Sequence, residues 1–600
     1  MTRLSLSSFG FVSISSLGLV LAAVACSSST PSNPGGMAGA ATAGGGGPSG
    51  GGASGNTAGA PNSTAGNGTV AGAANNTAGA SSGTAGNGSG TAGSNPGGAG
   101  AAGAAGASGG VGAAGTPGTA GSGSGGAPAT VTLPPLVTSA PGAYWKTDGT
   151  LTDSTAAATV TVNDTAVAQK WDGFGAAFNE LGWTVLTTAD MKTQAIKLLF
   201  SATDGAAFSW GRIPMGASDY ATSRYDDDGG TDVTPSGETN RPAKDTSMAM
   251  FSITRDGQNL IPYIKAAQAV KPDLRFWSSP WTPPVWMKTG FATAANGAKK
   301  PSFYDGGNMT SDAATLTAYA SYYTKFVQGY KAQGIDISVV SPQNEPGYEQ
   351  NYPSCLWDKA TYTTWVGKYL GPAMKAINVQ VMLGTLSNAG DNSRTDLDIA
   401  TAVLADSTAK AAVSMAGAQW GVLDKVVGGT TFGGLPIWAT EHRCGNYPWN
   451  PSGQPAYNST QAPNDQAYGV ESWGYIRDAI TKGKVVSYSA WNMVLDKSGL
   501  GIDTTRDWKQ DALLVADGGK VNPTPAYYVF RHMSQYVTPG ASVVGTTGGD
   551  AIGFKNPDGS IVAVLFNSGA ANPSYVVAIG GKKVQFAMPA NGWATVKVKP

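Results

Sequence analysis

Two glutamates stand where apolar runs give out. Glu345 closes "SVVSPQNE" and Glu441 lies in "PIWATEH". They are 96 residues apart, the length of three strand–helix units of a (β/α)8 barrel, in which every strand end opens on the same mouth. Either one alone reads as a surface charge or half of a salt bridge. Two carboxyl groups converging on one mouth suit the cleavage of a glycosidic bond. One, kept protonated, gives its proton to the leaving oxygen; the other attacks the sugar carbon or activates water. The second must stay ionised, which requires a cationic or donor-rich setting. Arg212, in the run ending "GRIPM", is the candidate to supply it. Trp281, Trp286, Trp357, Trp420 and Trp491 fall at or just after strand ends, where aromatic faces suit the C–H face of a pyranose.

Other chemistries find little support. The chain has two histidines, His442 and His532, so a histidine metal site or a Ser-His-Asp triad is not expected. No metal and no organic cofactor is implied. The formal net charge is zero and there is no basic tract, which argues against nucleic acid as a partner. Besides Cys26, only Cys355 and Cys444 are present, and they read equally as one disulfide or as two buried thiols.

The elements that must position these residues follow a clear rhythm. Eight apolar runs end in polar or aromatic residues: "WDGFGAAF", "AAFSWGRIPM", "LRFWSSPW", "SVVSPQNE", "QVMLGTLS", "AVSMAGAQW", "PIWATEH" and "VVSYSAWN". Helical segments such as "MKTQAIKLLF" and "LTAYASYYTKFVQGY" separate most of them. This predicts an α/β fold, a (β/α)8 TIM barrel over 171–520. Residues 521–600 change to short strands with Gly and Asn turns, an antiparallel β-sandwich side domain, and strands within 131–170 are expected to join it.

The N-terminal part is different. Residues 4–145 contain no Asp, Glu, Lys or Arg, and 27–130 are almost wholly Gly, Ala, Ser, Thr, Asn and Pro, a disordered low-complexity linker by composition. Residues 1–26 have Arg3, an apolar run and a small-residue end, the features of a signal peptide. The ending resembles a bacterial lipobox, with Ala23 where Leu is usual, and would make Cys26 the lipidated first residue of the mature chain; the alternative is a plain cleaved signal. The expectation is a monomer outside the cell, on the bacterial outer membrane through a lipid on Cys26 or secreted, with no other membrane association.

"DGFGAAF", "GRIPMGASDYA", "SSPWTPPVWMKT", "SPQNEPGYEQNYPSCLW", "WATEH" and "YSAWNMVLD" occur in this order, and together they closely resemble glycoside hydrolase family 30. This clan A family of retaining β-glycosidases includes glucosylceramidases, endo-β-1,6-glucanases and xylan- and galactan-degrading enzymes. The resemblance runs from about Trp171 to the C-terminus. It implies that Glu345 is the acid/base and Glu441 the nucleophile, and that Asn344 donates to the substrate 2-hydroxyl. It further implies that Asp219, Trp281 and Trp491 hold the sugar, while Arg212 orients the carboxylates. One departure stands out. Where the family carries a His-x-Tyr motif on the sixth strand, this chain has Ala418-Gln419-Trp420, so an indole N–H stands in for a hydroxyl.

The reading that results is a retaining β-glycosidase acting on a β-linked glucan (β-1,6-glucanase-like) or a β-glucoside (glucosylceramidase-like). The same mechanism on β-galactan, xylan or a β-fucoside is the alternative. A surface polysaccharide-binding protein without catalysis is the alternative of another class, motivated by the change at Ala418.

Overall fold

The computed structural model describes residues 132–230, 242–290, 302–389, 395–441, 462–503, 510 and 512–600. The signal segment with Cys26, the linker, His442 and Cys444 lie outside the described residues.

Eight parallel strands form a closed barrel in chain order. They are β1 (Gly173–Ala177), β2 (Trp210–Met215), β3 (Arg275–Pro280), β4 (Ile337–Val340), β5 (Gln380–Leu386), β6 (Val413–Gln419), β7 (Ile437–Glu441) and β8 (Ser487–Asn492). The eight runs read from the sequence all contribute. Nearly every strand residue is buried, because helices cover the outside and side chains fill the inside, which is why the strands read as apolar runs rather than alternating ones.

A helix follows each strand. They are α1 (Ala189–Phe200), α2 (Leu260–Val270), α3 (Ala313–Ala332), α4 (Lys359–Trp365, continuing through a π turn at Val366–Leu370 into Gly371–Ala376), α5 (Asp396–Ala405), α6 (Trp420–Val427), α7 (Ala462–Thr481) and α8 (Pro525–Ser534). Local chemistry sets several starts. The side chains of Thr188, Asp312, Asp358, Thr395 and Thr524 each accept from a backbone N–H in the first turn of α1, α3, α4, α5 and α8.

Inside the barrel, Trp210, Trp277, Val339, Met382, Met415 and Trp438 make a cluster of their own. Trp438 lies 4.8 Å from Trp210 and edge-on to Trp277 at 6.5 Å. This plug is the floor on which the site is built.

The side domain is one ten-stranded sheet. The strand Leu136–Ala140 pairs antiparallel with Gly592–Val598, and Val160–Lys170 pairs antiparallel with Ser542–Thr547, so the segment before the barrel does join it. One pairing departs from the antiparallel expectation: Val160–Lys170 runs parallel to Asn572–Ile579. One apolar set, including Val137, Phe554, Val564 and Trp593, packs into the barrel's helical layer; Val160, Ile561, Val577 and Val596 belong to a separate core.

His532, on α8, ties the two parts together. It is fully buried; Nδ1 lies 2.8 Å from Thr595 Oγ1 and Nε2 lies 2.8 Å from Ser139 Oγ. Thr595 Oγ1 already gives its hydrogen to the His532 carbonyl, so it must accept from Nδ1–H, and Ser139 donates to Nε2. The ring is therefore neutral and structural. Burial and the neighbouring Arg531 push its pKa from the ordinary 6.5 down to about 3. The unfolded chain takes up this proton first, so the stability held by the neutral ring is present above about pH 6.5 and lost as pH falls toward 3. In His532→Asn, thermal denaturation should give a flatter fall of Tm with pH across this window than wild type. An identical slope would remove His532 from the acid response.

Candidate active site

The site begins with Arg212, whose side chain is 1% exposed. It comes from β2, two residues beyond Trp210, and so points to the same side, into the barrel. Its guanidinium sits over Trp277, Trp281 and Trp491, at 4.9, 4.4 and 5.1 Å from the ring centres. Trp281 and Trp491 stack on each other at 5.1 Å. Cation–π attraction and low hydration make arginine the cation that tolerates such a cage. Its N–H groups are spoken for: Nε and Nη2 donate to Ser279 Oγ, Nη2 to Asn344 Oδ1 at 2.6 Å, and Nη1 to Glu441 Oε2 at 2.6 Å.

Glu441 ends β7, where its sequence context placed it. Its other oxygen accepts from Trp420 Nε1 at 3.1 Å, so the indole does take the place of a hydroxyl donor. Trp420 achieves this as the first residue of α6 with φ of 48°, a left-handed backbone that is costly for a bulky residue.

Glu345 is placed differently from expectation. β4 stops at Val340, and the chain continues irregularly for four residues before Glu345. Ser341-Pro342 interrupts the ladder. The chain then rejoins its neighbours: Asn344 N donates to Pro280 O and Glu345 N to Thr385 O. Gln343 fixes the intervening stretch by donating to the carbonyls of Trp281 and Asn344. Glu345 itself has φ of 50°. A turn follows, with Tyr348 N donating to Glu345 O.

The two carboxyls meet unlike partners. Glu345 Oε1 accepts only an amide N–H among its side-chain bonds described, from Gln419 Nε2 at 2.9 Å, whereas Glu441 accepts from a cation and an indole. Burial raises the pKa of both. For Glu345 the charge of Glu441 adds to the rise; for Glu441 the Arg212 charge opposes it, while Asp219 adds to it. The hydrogen-bond partners thus favour the ionised form more at Glu441 than at Glu345. Asp219, on the loop after β2, is buried, and its backbone carbonyl accepts from Ile502 N.

Of the five tryptophans only Trp420 is partly exposed: Trp281 and Trp491 are buried against each other and Arg212, and the remaining two are packed away from the guanidinium. Trp357 is a wedge against Tyr319, Tyr362 and Trp365, with its indole on Gln343 Oε1. Trp286 is buried with its indole on Asp228 Oδ2. Sequence reasoning missed Ser279, Gln343, Thr385 and Gln419 as parts of the site. Only Gln419 carried a signal, its place between the two residues of the departing motif. Among the described residues no group of three or more His, Cys, Asp or Glu side chains is arranged to hold a metal ion.

Comparison with known proteins agrees with this geometry. The model of the glycosyl hydrolase family 30 TIM-barrel domain matches residues 171–537, and that of the family's beta sandwich domain matches 540–596. A Caenorhabditis elegans protein named as a glucosylceramidase is 28% identical over 443 residues, 69% of this chain and 78% of its own. An endo-1,6-beta-D-glucanase of Trichoderma harzianum is 25% identical over 433 residues, covering 68% and 80%. The solved structure of an endo-beta1,6-glucanase superposes with a TM-score of 0.63 at 23% identity, over 78% of this chain and 99% of the other, a likeness of fold. The chain belongs to glycosyl hydrolase family 30 and is a glycosidase with a carbohydrate substrate.

Trp420→Phe removes a hydrogen bond to the ionised form of Glu441 and should raise its pKa. We expect the acid limb of the kcat/KM profile to move to higher pH and activity at the optimum to fall by about tenfold, since a hydrogen bond to a charge contributes roughly 1.5–3 kcal/mol. An unmoved acid limb would mean that Trp420 only packs.

Proposed function

We propose that this family 30 glycosidase is a retaining enzyme that hydrolyses a β-linked glucan or β-glucoside by double displacement. The observation that carries the reading is the contrast between the two carboxyls: Glu441 is paired with a buried cation at 2.6 Å, and among the described residues Glu345 has no cation in hydrogen-bond contact. Glu441 is then the ionised nucleophile and Glu345 the protonated acid.

In the first step a Glu441 oxygen attacks the anomeric carbon. The bond to the leaving oxygen breaks, and Glu345 transfers its proton to that oxygen. In the second step Glu345, now a carboxylate, takes a proton from water as the water oxygen attacks the same carbon and releases Glu441. Asn344, whose Oδ1 is held by Arg212, turns its NH2 toward the substrate 2-hydroxyl. Trp281, Trp491 and Asp219 bound the sugar subsite beside Arg212, and Trp420 lies at its edge. The glucan assignment rests on the names borne by the relatives, endo-1,6-beta-D-glucanase and glucosylceramidase.

Incubation with β-glucans, xylan, β-galactan and glucosylceramide, with products read by NMR, tests the reading. A β-anomer should appear first, from a β-glucan or β-glucoside. Glu345→Gln should lose about 10²–10⁴-fold on glycosides with poor leaving groups, and Glu441→Gln should be inactive on all. An α-anomer released first would exclude retention.

The N-terminus adds a place of action. The chain is exported, and Cys26 carries a lipid that holds the enzyme at the cell surface on its Gly/Ala-rich leash. In a bacterial host the full chain should partition with membranes and Cys26→Ser should not. Equal partitioning of both would rule the lipid anchor out.

A further inference from the structure

We propose that Gln419 is a positioning residue that confines the transferable proton of Glu345 to Oε2 and aims the Asn344 amide at the substrate. The inference rests on the reading of Glu345 as the proton donor.

The argument starts from hydrogen-bond polarity. An arginine only donates, so the Asn344 atom 2.6 Å from Arg212 Nη2 must be the oxygen. Gln419 approaches that same oxygen at 3.2 Å, so the Gln419 atom facing it must be the nitrogen. This nitrogen also faces Glu345 Oε1 at 2.9 Å. It has two hydrogens and no lone pair to offer, so Oε1 must accept in either state of Glu345. A carbonyl oxygen accepts better than a hydroxyl oxygen, so the acid proton is favoured on Oε2. A flipped Gln419 amide would set an oxygen against Asn344 Oδ1 and is excluded by Arg212. Thr440 Oγ1 completes the arrangement by donating to Gln419 Oε1 at 3.1 Å.

The residue is suited to this and to little else. Gln419 is fully buried at the end of β6, opposite Glu441 in the β6–β7 register. Among the described residues its side-chain hydrogen bonds go to Asn344, Glu345 and Thr440, none to backbone. A general acid whose proton resides on either oxygen spends part of its time with the proton turned away from the leaving group. One donor on Oε1 disfavours that alternative before substrate arrives. The same donor favours the ionised carboxylate and so opposes the upward push of burial on Glu345, which keeps the proton transferable.

The test compares leaving groups. Wild type, Gln419→Met, Gln419→Glu, Thr440→Val and Glu345→Gln are assayed on phenyl and 2,4-dinitrophenyl β-glucosides and β-gentiobiosides. The dinitrophenolate leaves without a proton, so only the phenyl substrates report on acid transfer. Gln419→Met should lose on the order of ten- to a hundredfold in kcat/KM on the phenyl substrates and much less on the dinitrophenyl ones. Its alkaline limb should move to higher pH, because a donor to the carboxylate is gone. Thr440→Val should follow in the same direction with a smaller loss. If Gln419→Met does not fold by circular dichroism, Gln419→Glu takes its place. That variant keeps the shape but must share a proton with Glu345, and it should show the same selective loss. Equal losses on both leaving groups with an unmoved alkaline limb would overturn the role of Gln419. If Glu345→Gln itself fails to discriminate between the leaving groups, the acid assignment falls, and that result is independent of Gln419.

Discussion

A buried guanidinium that can only donate is the constraint around which the site is organised. Taking an arginine out of water is expensive unless its charge and its N–H groups are met. Here the flat faces lie against tryptophans and the edges reach Ser279, Asn344 and Glu441. Each partner is thereby forced into the role of acceptor. Asn344 must turn its oxygen inward, so its amide faces out. Glu441 must stay an anion or leave a cation unpaired. The tryptophan plug beneath matters for the same reason: with Trp210, Trp277 and Trp438 filling the barrel, no water reaches Arg212 from below to compete for these bonds.

Backbone strain is spent in the same place. Eight non-glycine residues among those described have positive φ, and two of them are Glu345 and Trp420. Left-handed backbone at such residues persists only where the surroundings over-determine it. Glu345 is pinned by its own N–H on Thr385 and by that of Asn344 on Pro280. Trp420 is held by the helix it begins and by its indole on Glu441. In both cases the unusual backbone turns a side chain across the barrel mouth that a regular strand end would have sent elsewhere. The broken end of β4 therefore has a purpose: an unbroken strand through Glu345 would follow the pleat and lose the crossing toward Gln419.

The barrel was legible because a parallel strand covered on both faces is a continuous apolar run, and eight such runs closed by polar residues admit few other folds. Glu345 and Glu441 were legible for the same reason, as charges where hydrophobic runs stop, and Arg212 as a charge inside one. The supporting residues were not. Ser279, Thr385 and Gln419 are ordinary polar residues within or beside strands, and their partners at Arg212, Gln343, Asn344 and Glu345 lie at least 40 positions away. Apart from the place of Gln419 inside the departing motif, nothing local distinguishes them from polar residues facing solvent. Trp357 erred the other way. An aromatic after a strand end looks like a sugar platform, and only the packing of α3 and α4 around it shows that its face is already covered. The parallel pairing in the sandwich was hidden because register between strands 400 residues apart leaves no mark on either one.

Under the double displacement proposed for this chain, the network also accounts for how one arginine would serve both halves of the reaction. When Glu441 becomes an ester it loses its negative charge, which would strand Arg212 as a buried, unpaired cation. In the same step Glu345 gives up its proton and becomes an anion. The negative charge has moved across the site rather than left it. Both glutamates act on Arg212 electrostatically, and the path between them is short: Arg212 to Asn344 to Gln419 to Glu345. The total charge of the pocket is therefore the same before and after the first step, and no water is needed to solvate the change. Trp420 fits this scheme in a way a hydroxyl would not. An indole N–H can only donate, so it cannot become a competing acceptor for the proton when Glu441 is neutralised. Glu345, left as an anion by the first step, is then the carboxyl placed to take a proton from the incoming water, so the second step runs through the same carboxyl as the first.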